Sequence, residues 1–517
     1  MNIQRVFPYA IATIALLWLP TTLLAKDAEK PNIVIIFADD LGYADIGSYG
    51  GRNATPNLDR MASEGIRFTD FYVPSPVCSA SRAALLTGSY NSRVGIQGAL
   101  RPRSTIGLSL NETTIAEVLK KKEYATALIG KWHLGDHPES SPNNHGFDYY
   151  FGLPYSNDMR CKRDNSFLDC RRHPPLPLMQ DSEILEKEPD QSLLTKRYTE
   201  AAMAFIERSR NSPFFLYLAH TFPHIPLYAS ESFAGKSSNG LYGDVVAEID
   251  WSVGKILETI EKLGLDEKTL ILFTSDNGPW RIYGNHAGEC GSLRGAKGTV
   301  WECGVRVPFI ARWKNRIPRG LVSREVAATI DILPTLTELA GENMPITEID
   351  GKNILRLLYG EQGVKSPHEA LYFYHGENEL QAMRWNKWKL HFPYRYRRVI
   401  KTGMDGEKGM HEYSHTALEL YDLEEDIQES KNVINLYPDV VKRMEEMARV
   451  KREELGDSLH NIVGTGQRPP GYFHYPWYTQ LYWKAQKFSA RIQYFFFGSH
   501  DYPWYKRLYW KVMSLFE

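Results

Sequence analysis

Three polar clusters in this 517-residue chain stand in or beside short apolar runs, and each could do chemistry. The first is Asp39-Asp40, straight after Asn32-Ile33-Val34-Ile35-Ile36-Phe37-Ala38. Two adjacent carboxylates repel each other unless a cation sits between them, and a hard divalent ion does this well. A solvated acidic turn is the plain alternative. The second is Ser275-Asp276-Asn277-Gly278, after the Thr269 to Thr274 run. A carboxylate and an amide oxygen are again hard-ion ligands, although an Asx turn closed by glycine has the same composition. Together the two clusters offer four oxygen ligands from distant segments, which suits Ca²⁺ or Mg²⁺ and not zinc. The third is Pro76-Val77-Cys78-Ser79-Ala80-Ser81-Arg82-Ala83-Ala84-Leu85-Leu86-Thr87-Gly88. Cys78 precedes small residues, then Arg82, then an apolar helix-like run. That places it near a helix N-terminus, where partial positive charge favours anions. A lone cysteine by itself reads as a small buried hydrophobe.

The elements that must position these clusters are legible from periodicity. The 32–38 run, Phe214 to Ala219 and Thr269 to Thr274 are flat in hydrophobicity and rich in strand formers, as buried parallel strands are. Thr126 to Ile129 is a shorter one. Helical patterns cover Thr113 to Lys121, Leu193 to Arg208 and Tyr242 to Leu263. Strands and helices alternate, which predicts an α/β fold with a mostly parallel sheet between helices. Such sheets carry their sites at the carboxyl ends of the strands. From about residue 370 the character changes. Ala370 to Tyr374, Gln381 to Trp385 and Lys387 to Phe392 read as short antiparallel strands, and Pro438 to Leu455 as a helix. The expected organisation is therefore a catalytic domain over 26–367, a smaller α+β domain over 368–460, and a tail over 461–517.

The bulk numbers narrow the partners. The chain is 43% hydrophobic and 24% charged with a formal net charge of −1, which is ordinary globular composition. No basic run or field favours nucleic acid. Arg5 followed by the apolar Tyr9 to Leu19, Pro20 and a small-residue stretch to Ala25 reads as a secretory signal peptide over 1–25. An uncleaved anchor is the alternative, but the run is short of the ~20 residues of a comfortable span. Secretion or a periplasmic location follows. Among five cysteines, Cys161 and Cys170 close a short loop and could bridge; Cys290 and Cys303 are a second candidate pair or free thiols. Cys78 is then the odd one. Finally, Tyr475-Pro476-Trp477-Tyr478-Thr479-Gln480-Leu481-Tyr482-Trp483-Lys484 recurs at Tyr502 to Lys511 with eight of ten positions matching. Packing, contact with a membrane surface, and sugar stacking or oligomer contact are all open for this repeat.

The ordered motifs resemble a known family. Cys78-Ser79-Ala80-Ser81-Arg82 with Leu86-Thr87-Gly88 is similar to the signature of the type I sulfatases, members of the alkaline-phosphatase-like superfamily. Gly130-Lys131-Trp132-His133-Leu134-Gly135 resembles a second signature, and Lys297-Gly298-Thr299-Val300-Trp301-Glu302 with Gly304-Val305-Arg306-Val307-Pro308 a third. Tyr155-Ser156-Asn157-Asp158 further resembles the arylsulfatase A and N-acetylgalactosamine-6-sulfatase branch. With Asp39-Asp40 and Asp276-Asn277 the motifs span roughly residues 30 to 335 in the family's order.

The resemblance implies a sulfatase that uses formylglycine, made from Cys78 by a maturation enzyme. Its hydrated aldehyde attacks sulfur, displaces the alcohol, then expels sulfate; a thiol would be trapped as a stable adduct. It implies Asp39, Asp40, Asp276, Asn277 and the modified Cys78 around Ca²⁺, with Mg²⁺ as an alternative. Arg82 would hold the nucleophile, and Lys131 and Lys297 the sulfate oxygens. His133 matches the base, His224 in Phe222-Pro223-His224-Ile225-Pro226 the residue at the leaving oxygen, and Ser156 a sulfate-side hydroxyl. His286 is expected near the substrate pocket, and His220 has no assigned role. The substrate class implied is a sulfated small molecule or glycan, with carbohydrate favoured by the branch. Ala80 stands where many members carry Pro, which points to a bacterial host with an oxygen-independent maturation system. Rival readings are a phosphodiester or phosphonate monoester hydrolase of the same superfamily, and a non-catalytic binder of sulfated glycans. Oligomeric state is not legible.

Overall fold

The structure is a computed structural model and describes residues 30–160 and 173–474. The expected leader over 1–25, Cys161, Cys170 and both copies of the aromatic repeat lie outside the described residues. From Pro31 on, the described residues form one compact unit.

Ten strands build the main sheet: β1 (Asn32–Ala38), β2 (Ile66–Phe68), β3 (Ala125–Gly130), β4 (Tyr149–Gly152), β5 (Pro177–Gln180), β6 (Glu183–Lys187), β7 (Phe214–Ala219), β8 (Thr269–Ser275), β9 (Phe309–Arg312) and β10 (Leu321–Ser323). Their spatial order is β10-β2-β9-β8-β1-β7-β3-β4-β5-β6. The central five, β8-β1-β7-β3-β4, are parallel. Antiparallel pairs join β9 to β8 and β2 on one side, and β5 to β4 and β6 on the other. The sheet is thus mixed and mostly parallel in its middle, as expected.

The flat hydrophobicity of β1 has a direct cause. Ile33, Ile35 and Phe37 enter one apolar cluster, while Val34, Ile36 and Ala38 enter the other. Successive side chains of a strand point to opposite faces, so a strand covered on both faces must be apolar at every position. Helices α1 (Pro56–Ser63), α4 (Leu194–Ser209) and α5 (Gly240–Lys262) cover the second face through Leu58, Tyr198, Phe205, Ile249 and Ile256. On the first face lie α2 (Cys78–Thr87), α3 (Ile115–Lys120) and α6 (Ile332–Leu339). Thr114 caps α3 through a capping box with Glu117, which sets its start two residues after the expected one.

A second sheet of four strands orders as β11-β12-β13-β16: β11 (Ala370–His375), β12 (Glu379–Trp385), β13 (Trp388–His391) and β16 (Glu419–Asp422). Between β13 and β16 the chain makes a hairpin, β14 (Arg395–Lys401) with β15 (Met410–His415), and α7 (Pro438–Leu455) follows. Periodicity found β11, β12, β13 and α7. The hairpin and β16 went unpredicted because the first is charged and solvent-facing and the second is four residues long. The small sheet is not a separate globule: Phe373, Leu380, Met383 and Leu390 belong to the same apolar cluster as Ile33 and α2.

A buried ionic network also ties the two sheets together. Lys389 on β13 reaches Glu302 Oε1 at 2.7 Å and Glu429 Oε1 at 3.2 Å, all three at 0% exposure. His391 joins Glu429 at 2.8 Å, and Tyr72 and Arg306 complete Glu302. Burial alone would raise Glu302, but Lys389, Arg306 and Arg384 bring it down to about 2. A carboxyl depressed from 4.5 contributes stability that is complete above pH 4.5 and lost as pH falls to about 2. Removing Lys389 leaves two buried carboxylates without their shared cation, which costs roughly 3–5 kcal/mol. Lys389→Met is therefore expected to lower the unfolding free energy from urea titration at pH 7 by that amount and to flatten the acid-side stability profile between pH 4.5 and 2. An unfolding free energy within about 1 kcal/mol of wild type would show that the network contributes little.

Candidate active site

Four neighbouring strands, β8, β1, β7 and β3, end side by side at their carboxyl ends. Ala38 pairs with Ser275, Phe37 with Ala219, and Gly130 with Ala219, so the residues that follow emerge at one level. From β8 come Asp276 and Asn277, from β1 Asp39 and Asp40, from β3 Lys131 and His133, and from the segment after β7 His224. This is where a parallel sheet places its chemistry. Helix α2 begins at Cys78 and brings that residue and Arg82 to the same place.

Two positions are held in backbone conformations few residues adopt. Asp40 and His133 both have φ of 64°, the left-handed region, where a non-glycine residue stays only when its surroundings hold it. The surroundings are visible. The Asp40 N–H donates to Asp276 Oδ1 at 3.0 Å and the Leu41 N–H to Ser275 Oγ at 3.0 Å. The His133 N–H donates to the Pro154 carbonyl at 3.1 Å. Just before it, Gly130 has φ of 114°, and a Cβ there would lie 1.8 Å from the Ala219 carbonyl oxygen. Only glycine lets β3 turn there beside β7.

The charges pair across strands. Arg82 donates to Asp276 Oδ2 at 2.9 Å, lies 3.5 Å from Asp39, and reaches the Lys131 carbonyl at 3.1 Å. Lys131 contacts Asp39 and reaches Ser156 Oγ at 3.3 Å. Lys297 reaches Asp40 at 2.7 Å and Cys78 Sγ at 3.1 Å. Asp39, Arg82 and Lys131 are wholly buried. Burial would raise Asp39, but Lys131, Arg82 and Lys297 hold it well below the usual carboxylate range. Burial, then Asp39 beside it, lifts Asp276 to about 7. Burial pushes the Cys78 thiol far up against the pull of Lys131 and Lys297, so the thiol is neutral at physiological pH.

The two histidines are oriented by backbone carbonyls. His133 Nε2 donates to the Leu100 carbonyl at 2.9 Å, which leaves Nδ1 as the nitrogen with a lone pair; it is buried with no hydrogen-bond partner. His224 Nδ1 donates to the Ile225 carbonyl at 2.6 Å, and its Nε2 stands 3.7 Å from Asp40. Burial lowers both, assisted by Lys131 at His133 and by Lys297 at His224, so both imidazoles are neutral.

Donor atoms of Asp39, Asp40, Cys78 and His224 all lie within 4.8 Å of one another. Asn277 donates Nδ2 to Asp40 Oδ1 at 2.7 Å, while its Oδ1 is buried without a partner among the described residues. An orphaned amide oxygen beside clustered carboxylates fits a hard cation. Asp276 stands beside this group with both oxygens engaged, one by Arg82 and one by the Asp40 N–H.

All eleven expected site residues therefore meet in one place. His286 sits on the 281–286 turn, its Nδ1 3.3 Å from where a Cβ on Gly406 would be. His220 is buried with neither ring nitrogen hydrogen-bonded among the described residues. Cys290 and Cys303 form a disulfide that brackets the Lys297 loop, and Cys78 is free. Residues missed from sequence include Trp280, whose ring lies 5.6 Å from His224 and 4.8 Å from Lys297 Nζ, and Ser79, whose Oγ accepts from the Leu100 N–H. No motif spacing marks a residue that acts through a neighbour's backbone.

Residues 31–342 match the family model described as Sulfatase, and residues 366–468 the one described as C-terminal region of aryl-sulfatase. The chain belongs to the sulfatase family. It is 40% identical to arylsulfatase A of Homo sapiens over 454 residues, covering 82% of this chain and 88% of that protein. It is 39% identical to N-acetylgalactosamine-6-sulfatase of Canis lupus familiaris over 386 residues, covering 70% and 72%. The crystal structure of PsFucS1 sulfatase from Pseudoalteromonas sp. superposes with a TM-score of 0.73 at 30% identity, covering 83% of this chain and 91% of that one. This sulfatase is accordingly a sulfuric ester hydrolase with a sulfated substrate and a divalent metal.

The turn at Gly130 yields a prediction. Gly130→Ala must push β3 from β7 and displace Lys131 and His133. It is expected to cost at least about 2 kcal/mol of stability and most of the sulfate ester turnover. A thermal midpoint and kcat equal to wild type would show that the close approach is not needed.

Proposed function

We infer that this sulfatase removes a sulfate ester from a carbohydrate, with Cys78 acting after conversion to formylglycine. The observation that carries the reading is the setting of Cys78. Its Sγ lies 3.1 Å from Lys297 Nζ and 3.5 Å from Asp39 Oδ1, at the start of α2, with its thiol held neutral by burial. A neutral buried thiol is a poor nucleophile, so the position suits a modified side chain better than a cysteine. The carbohydrate part draws support from the likeness to N-acetylgalactosamine-6-sulfatase.

The residues that would hold Ca²⁺, or Mg²⁺, are Asp39, Asp40, Asp276, Asn277 and the side chain at 78; the ion supplies a Lewis acid for a sulfate oxygen, and the aldehyde a hydrated nucleophile. The rest falls to the chain's own groups. Lys131 and Lys297 bind sulfate oxygens from two directions, with Ser156 beside Lys131, and charge-assisted hydrogen bonds from fixed donors favour the developing charge. Arg82, tied to Asp276, orients the residue at 78. His133 holds its Nε2 proton on Leu100, so Nδ1 takes the proton from the nucleophile. His224 presents Nε2 on the Asp40 side; because its one proton is held on the Ile225 carbonyl, Nε2 must first take up a second proton before it can pass one to the leaving alcohol oxygen.

The surrounding biology is part of the same proposal. The apolar leader supports export to the periplasm or medium, and Ala80 supports maturation by an oxygen-independent enzyme. The boundaries at 26–367, 368–460 and 461–517, and membrane-surface contact by the aromatic tail, rest on composition alone.

Two measurements test this reading. Converted protein is expected to hydrolyse p-nitrophenyl sulfate and a sulfated disaccharide far faster than bis-p-nitrophenyl phosphate, and His133→Gln to lose about 10²–10⁴ in kcat. A preference for the phosphodiester would overturn it in favour of the rival hydrolase; binding without turnover would favour the non-catalytic reading. Separately, expression in a host that converts only Pro-containing motifs should leave residue 78 as cysteine by mass spectrometry. Full conversion there would refute the role given to Ala80.

A further inference from the structure

The β14–β15 hairpin lies along the loop that carries Lys297. At its tip, Gly403 N–H and Gly409 N–H donate to the Ile282 carbonyl at 2.8 and 3.0 Å, and Asp405 and Asn285 exchange two hydrogen bonds of 2.8 Å. Near its base, the Tyr396 ring lies 5.9 Å from Trp301, four residues after Lys297. The hairpin is thus pinned at both ends to segments that flank a sulfate-binding lysine.

One face of β14 is cationic. Arg395 and Arg397 alternate on that face, both exposed, with their guanidinium carbons 3.7 and 5.9 Å from the Tyr413 ring centroid. Arg395 stacks on the ring, and Arg397 at its edge hydrogen-bonds the Tyr413 hydroxyl, so the ring orients both groups while each guanidinium keeps further N–H donors. Neither forms an ion pair among the described residues. The nearby carboxylates are engaged elsewhere: Glu412 binds Arg398 at 2.9 Å, and Asp405 is tied to Asn285. His375, at the end of β11, lies beside the Lys297 loop. Its Nε2 lies 4.0 Å from where a Cβ on Gly298 would be, and it is within electrostatic reach of Arg397. Its Nδ1 is buried and unpartnered. His375 therefore stands close to the residue that follows Lys297 and within electrostatic reach of Arg397.

We propose that Arg395 and Arg397, with His375, bind a second anionic group on the sugar whose sulfate ester occupies the Lys131–Lys297 site. This rests on the carbohydrate reading above and sharpens it: the preferred substrate is an oligosaccharide with at least two negative charges, the second a sulfate or a carboxylate. Paired guanidinium forks on a rigid ring match either group. Lone exposed arginines are common and usually solvated, but two oriented by one ring and without a carboxylate partner among the described residues, on a hairpin pinned to the segments around Lys297, are a different arrangement.

Calorimetric binding to the full chain carrying Cys78→Ala, so that ligand is not consumed, tests this. Three probes are compared: N-acetylgalactosamine 6-sulfate, the same sugar with a second sulfate, and its disaccharide with a uronate. At least one doubly charged probe should bind about tenfold tighter than the singly charged one, with the gain falling as salt rises. Arg395→Gln with Arg397→Gln should remove most of that gain, and Arg395→Lys with Arg397→Lys should keep part of it. Which probe shows the gain identifies the second group. Equal affinity for all three probes, or a gain that survives the Gln pair, overturns the proposal. Hydrolysis of p-nitrophenyl sulfate by converted wild type, measured alongside, separates the two readings. Turnover without a second-charge gain sinks only the hairpin site; a gain without turnover sinks the catalytic reading and leaves the hairpin site standing.

Discussion

Everything at this site depends on one electrostatic constraint: three carboxylates must be buried within a few ångströms of each other. Asp39, Asp40 and Asp276 are each almost wholly hidden from solvent. Isolated ionised groups do not survive such burial, so each needs a cation. Arg82, Lys131 and Lys297 meet that need, and each comes from a different segment. Two of these cations, Lys131 and Lys297, are the ones the proposed function assigns to the sulfate oxygens. On that reading charge balance in the folded chain and recognition of a sulfate draw on the same groups.

That arrangement needs a rigid frame. The parallel strands β8, β1, β7 and β3 end at one level, and their neighbours fix the level through the pairing of Ala38 with Ser275 and of Gly130 with Ala219. Beyond the strands the chain turns sharply, at Gly130 and through the left-handed residues Asp40 and His133. These turns aim polar side chains across the sheet edge. The small sheet adds a second support. Its shared apolar cluster and the Lys389 network keep it fixed on the main body, and its hairpin is thereby held beside the Lys297 loop.

Much of this is legible in the chain itself. β1, β7 and β8 declare themselves because both faces are covered, and α7 because its apolar positions repeat at helical spacing. Asp39-Asp40, Cys78 to Arg82, Lys131 to His133 and Lys297 are local patterns that a linear reading can find. The hairpin was illegible because Arg395 to Lys401 faces solvent and lacks alternation. Trp280, Ser79 and His375 were illegible because their relevance comes from neighbours far away in sequence.

By itself the sequence determined the types of groups available and the strand ends from which most of them emerge, because hydrophobic periodicity and short motifs are local properties. Only the tertiary structure decided which charges pair, which ring nitrogen of His133 and His224 is free, and what stands beside the anion site. Those outcomes are set by the order of strands in the sheet and by the packing of one sheet on another, and contacts between residues hundreds of positions apart leave no mark on the spacing of either.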